Sequence, residues 1–105
     1  MTFFKKKYIY IYEIISVLKS IHDPEISVDI YELGFIYDIR ISNNFFIKII
    51  MTLTTPNCPV AEILPLKVKN KIFNIKNVQN VEIILTFYPN WTSDMISIVY
   101  KKFGF

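Results

Sequence analysis

The alternating apolar pattern of residues 45–54 stops at Pro56 and, beyond Pro59, resumes with the spacing of a helix. A change of period from two to about 3.6 commits the chain to a strand followed by a helix. Pro59 suits the first helical position, where its missing N–H would have no partner and its fixed φ is already helical. Either Asn57 or Cys58 is then the N-cap. Cys58 is the one cysteine of the chain. At a helix N-terminus a thiol faces the positive end of the aligned peptide dipoles, which favours the thiolate. The thiolate is the form that binds metal or attacks an electrophile. The ordinary fate of a lone cysteine is burial as a small hydrophobe. Against that, the loop between a strand end and a helix start is where α/β proteins place binding groups. On local grounds Cys58 stands between the two readings.

The flanking segments supply the rest of the fold. Ile11, Ile14, Ile15, Leu18 and Ile21 recur at helical intervals and predict a first helix over residues 8–21, ended by Asp23-Pro24, with His22 in its last turn. A histidine there is a helix C-terminal residue before it is a ligand. Residues 27–34 read as an irregular or briefly helical connector, with Gly34 available for a left-handed position. Residues 35–42 alternate, with Phe35, Tyr37, Ile39 and Ile41 on one face, and Ser42-Asn43-Asn44 supplies turn residues that tolerate positive φ. With Ile47, Ile49, Met51 and Leu53 on the next run, this predicts an antiparallel hairpin.

Beyond the cysteine, Ile63, Leu64, Val68, Ile72, Phe73 and Ile75 mark a helical face, and Pro65 predicts a kink or a short first turn. Residues 78–88 return to period two, with Val81, Ile83, Leu85 and Phe87 on one side. A strand, helix and strand in this order favour a right-handed crossover with the third strand parallel to the second. Thr92 or Ser93 caps a terminal helix expected to reach about residue 102. The expected fold is α+β: a small mixed three-stranded sheet, made of a hairpin plus a right-handed βαβ crossover, with helices packed on one face. Residues 1–105 are read as a single domain.

Composition narrows the function classes. With 52% hydrophobic and 16% aromatic residues, the chain must fold around a core. A lone cysteine makes no internal disulfide, which fits a reducing, cytoplasmic setting. Lys5, Lys6 and Lys7 precede an apolar stretch in the order of a signal peptide, but Glu13 interrupts it and no small-residue cleavage site follows. No apolar run reaches the ~18 residues of a membrane helix. The net charge is +3. Its lysines are scattered and Arg40 is the one arginine, whereas readers of phosphate and base favour arginine, so nucleic acid is not the expected partner. Asp23-Pro24-Glu25 sets two carboxylates around a stiff turn, and taken alone it reads as structural.

Four pieces in order carry a resemblance: Asp23-Pro24-Glu25; Glu32-Leu33-Gly34-Phe35-Ile36-Tyr37-Asp38; Met51-Thr52-Leu53-Thr54-Thr55-Pro56-x-Cys58-Pro59; and Pro89-x-Trp91-x-x-Asp94-Met95. Together they resemble the SufT-like and PaaD-like proteins of iron-sulfur cluster assembly, over nearly the whole chain. PaaD-like proteins often carry a cysteine-rich tail. This sequence has none, which favours the SufT-like branch. The resemblance implies a non-catalytic factor that assists cluster insertion into client proteins, with assembly proteins and client apo-proteins as partners. It makes Cys58 the functional centre and lines the site with Asp23, Glu25, Thr54, Thr55, Pro56, Pro59 and Trp91, the last as a packing residue.

Clusters usually take four protein ligands, and this chain offers one thiolate. The implied cargo, iron or an iron-sulfur cluster, is therefore held transiently, or shared between two protomers across a two-fold axis. The alternative is a metal-free adaptor that binds the assembly machinery or clients through surplus apolar residues, such as Phe3, Phe4, Phe103 and Phe105. A thiol enzyme has less behind it: His22 is distant in sequence and no glycine-rich loop supplies an oxyanion hole.

Overall fold

The structure is a computed structural model that describes residues 3–23, 28–54 and 60–96, the side chains of residues 3–9 and 60 excepted. Its elements are helix α1 (Phe3–Lys19), strands β1 (Ile36–Ile41) and β2 (Phe46–Met51), helix α2 (Val60–Phe73), strand β3 (Asn80–Leu85) and a short 3-10 turn (Ser93–Met95). The strand order is β1-β2-β3. β1 pairs antiparallel with β2, and β3 pairs parallel with it. This is the expected α+β arrangement, with β2 in the middle.

The centre of the sheet follows from strict alternation along β2. Ile47, Ile49 and Met51 are fully buried and Leu53 nearly so. They meet Ile14 and Leu18 of α1 and Leu64, Val68 and Ile72 of α2 in one core. Complete burial of an aliphatic side chain stabilises by roughly 1.5–3 kcal/mol, so these stripes, rather than helix propensity, hold the two helices in place.

Several boundaries depart from the sequence reading. α1 begins at Phe3 and ends at Lys19 rather than spanning residues 8–21. Its early turns contain no helix breaker, and Tyr10 anchors them against Phe45 with ring centroids 4.8 Å apart. Its last turn is tightened by Ser20, whose N–H and hydroxyl both donate to the Val17 carbonyl at 2.9 and 2.5 Å. His22 is consequently outside the helix, exposed, and in an antiparallel bridge with Asp29. The hairpin turn places positive φ on Phe45 (55°) rather than on the two asparagines. A turn closed by Phe45 N–H to Ser42 O, with Phe45 itself left-handed, is a common three-residue hairpin loop, and the Tyr10 ring packs against Phe45 there.

In β1 the pairing steps from Ile36↔Met51 to Asp38↔Ile50, so Tyr37 is an extra residue and the expected alternation breaks there. α2 runs through Pro65 as one helix. So early in the helix, proline forfeits the bond to the Ala61 carbonyl, while Leu64 and Val68 keep the neighbouring turns in the core. Ile63 and Phe73, expected on the inner face, point outward. Of the helix expected beyond Thr92, the described part is a 3-10 turn that exits at an extended Ile96, and residues 97–102 lie outside the described residues. Its continuation, Phe103 and Phe105, and the side chains of Phe3 and Phe4, lie outside the described residues.

Candidate functional site

Three strand ends converge where β2 runs out toward the cysteine loop. The N–H of Thr52 donates to the Phe35 carbonyl at 2.8 Å, and the N–H of Thr86 donates to the Met51 carbonyl at 2.8 Å. Thr52 is fully buried, its hydroxyl directed at the Leu53 carbonyl 3.3 Å away. Thr54 is exposed. The chain therefore leaves the sheet from a position clamped on both sides, and α2 takes over at Val60.

The segment ahead of β1 is shaped by Asp29. Its carboxylate oxygen accepts the N–H of Glu32 at 2.9 Å and its carbonyl accepts the N–H of Leu33 at 3.1 Å, which starts one helical turn. Gly34 ends that turn at φ 80°, as its left-handed assignment from sequence requires. A Cβ there would sit 2.3 Å from the Met95 carbonyl oxygen, so Gly34 also permits the 3-10 turn to lie against the chain.

The same surface receives Trp91. Its indole N–H donates to the Leu33 carbonyl at 2.7 Å, and its ring meets Phe35 edge-on with centroids 5.7 Å apart. One step further along, the Tyr37 hydroxyl donates to the Pro89 carbonyl at 2.6 Å. Two of the motifs read from sequence, residues 32–38 and 89–95, are thus bonded directly to each other beside the end of β2. The partnership of Trp91 with Leu33 and of Tyr37 with Pro89 escaped sequence reasoning.

Asp23 is buried, and its N–H donates to the Val28 carbonyl at 3.0 Å. With Ile30 N–H to Ile21 O at 2.9 Å, this closes the acidic turn at its base. Glu25, Thr55, Pro56, Cys58 and Pro59 lie outside the described residues. Among the described residues, no three His, Cys, Asp or Glu side chains converge as a metal site. Two ion pairs involve the segments ahead of and within β1: Lys19 with Glu32 at 3.2 Å, and Arg40 with Asp38 at 2.7 Å. The Arg40 hydrogen bond holds the Asp38 carboxyl below the usual carboxylate range. An open groove of about 470 Å³ reaches Phe46 and Asn80, the first residues of β2 and β3, and so lies toward the opposite end of the sheet. No described helix is long and apolar enough to cross a membrane.

A family model for iron-sulfur cluster assembly proteins matches residues 12–83, more than half of the chain. The chain belongs to that family. It is 42% identical over 85 residues to an Fe-S protein maturation auxiliary factor from Porphyromonas gingivalis, covering 81% of each. It is 33% identical over 75 residues to the Fe-S protein maturation auxiliary factor SufT from Staphylococcus aureus, covering 71% of this chain and 85% of that one. The SufT-like resemblance read from the four motifs is thereby borne out. Its fold is shared with a domain of unknown function from Bacillus anthracis, at a TM-score of 0.83 and 29% identity, over 90% of this chain and 91% of that one. The matched family segment contains Cys58 but stops short of Trp91, so Leu33 and Phe35 lie inside the segment while the side chain packed on them comes from beyond it.

Proposed function

We propose that this chain is an auxiliary factor of iron-sulfur protein maturation, acting on client apo-proteins in the cytoplasm, with Cys58 as a transient or shared ligand of the iron or cluster being delivered. The observation that carries the reading is positional. The sole cysteine stands in sequence between the clamped end of β2 and the start of α2, so the elements on either side of the segment that carries it are packed in the core. A thiolate there gains from the dipole of a 14-residue helix. One thiolate does not complete the set a cluster requires, so outside thiols, a client's cysteines or a second protomer supply the rest. The cargo is passed on rather than stored. In this reading Asp23, Glu25, Thr54, Thr55, Pro56, Pro59 and Trp91 shape the loop, and no bond of the client is made or broken by catalysis.

The test is maturation of an apo-client from a loaded assembly protein, with and without this chain. Cys58→Ala is expected to abolish the acceleration that the wild type provides, while binding to client or assembly protein is retained. Full acceleration by Cys58→Ala would favour the second reading, a metal-free adaptor. That reading has its own observation: Ile63, Leu66 and Phe73 are exposed on one side of α2.

A further inference from the structure

The outward face of α2 carries a pattern that neither the core nor the cysteine loop uses. Leu64, Val68 and Ile72 are buried, whereas Ile63, Leu66 and Phe73 are 66%, 58% and 50% exposed. Ile63, Leu66, Asn70 and Phe73 follow one another at intervals of three, four and three residues, the a-d-a-d spacing of a seam between two helices. In that frame Lys67 falls at e and Lys69 at g, both exposed, the positions that flank such a seam. Leu64 and Val68 fall at b and f, on the far side. A single helix therefore has two apolar stripes back to back, one in the core and one facing out. The outer stripe is about 15 Å long at 1.5 Å per residue.

We propose that this face of α2 docks a helical segment of a partner protein whose own apolar stripe is flanked by aspartate or glutamate. The lysines select the occupant. Lys67 and Lys69 stand exposed along the stripe against one carboxylate, Glu62, at the other g position, so a second copy of this chain would double the excess positive charge, which an acidic helix instead neutralises. An anionic membrane would also balance the charge, but it would press Asn70, in the middle of the stripe, into an apolar layer with no hydrogen-bond partner. A facing helix supplies a polar side chain there and gains register from it. The surface does not depend on Cys58, and it serves a ligand or an adaptor equally.

The test is an NMR titration of the full ¹⁵N-labelled chain with a designed helical peptide of about two heptads, leucine at a and d and glutamate at e and g, alongside its lysine counterpart. The glutamate peptide is expected to shift amides of residues 63–73, and the double variant Lys67→Glu/Lys69→Glu to weaken it by roughly tenfold or more. Leu66→Glu removes binding, and neither variant moves the thermal midpoint. Equal binding of the lysine peptide, shifts confined to other residues, or no shifts with either peptide would overturn the proposal. So would binding to phosphatidylglycerol vesicles alone, or self-association that Leu66→Glu abolishes.

Discussion

Trp91 donates its indole N–H to the Leu33 carbonyl at 2.7 Å while the edge of one ring meets the face of the other against Phe35. One side chain therefore ties the chain after β3 to the turn before β1. Trp91→Phe keeps an aromatic ring but leaves a part-buried carbonyl without its donor, a loss of about 1–2 kcal/mol. Urea denaturation followed by circular dichroism measures it. A midpoint unchanged from wild type would mean that the bond contributes nothing.

Gly34→Ala should be worse, although it adds a single carbon. The new Cβ would fall 2.3 Å from the Met95 carbonyl oxygen, at a φ of 80° that disfavours any side chain. The 3-10 turn must move off, or the backbone must rotate. A loss of roughly 1–3 kcal/mol is expected, read as a fall in the thermal midpoint together with amide shifts at residues 93–95.

Asp29 starts the turn that presents Leu33 to Trp91. Asp29→Ala removes the acceptor of the Glu32 N–H and should cost about 1 kcal/mol or more, since the carboxylate is buried. Asp29→Asn, which keeps a capping oxygen, is expected to recover part of the loss. Faster amide exchange at Glu32 in the alanine variant is the accompanying local signature.

Asp38 is the described residue with a pH-dependent role that can be assigned a sign. The hydrogen bond from Arg40 is the main cause of its lowered pKa; partial loss of hydration opposes it, and the Arg40 charge and the Ile39 backbone N–H reinforce it. A carboxyl whose pKa is lower in the folded chain contributes stability above its unfolded pKa and loses it as pH falls through the folded one. The group is exposed, so the contribution is small. Arg40→Ala should move the Asp38 midpoint upward in a carboxyl ¹³C titration, and an unmoved midpoint would remove Arg40 as the cause.

What could be read from sequence was whatever leaves a periodic or steric trace. The inward set Ile47, Ile49, Met51 and Leu53, the left-handed Gly34 and the parallel third strand all have such traces, and all are present. Alternation puts Tyr37 on a regular face, because a bulge adds a residue without changing composition. Ile63 and Phe73 read as inward because α2 has apolar residues on both sides, and spacing alone does not say which side the sheet covers. That Trp91 packs was legible. That it bonds to Leu33 was not, since a contact across 58 positions leaves no mark in one sequence.

The most direct measurement concerns the thiol itself. The chain is incubated anaerobically with iron, sulfide and a small thiol, desalted, and assayed for visible absorbance and for iron per chain, beside Cys58→Ser. The wild type is expected to retain iron and charge-transfer absorbance that the serine variant lacks, with both folded to the same thermal midpoint. Equal absorbance and iron content in the two would contradict a ligand role for Cys58.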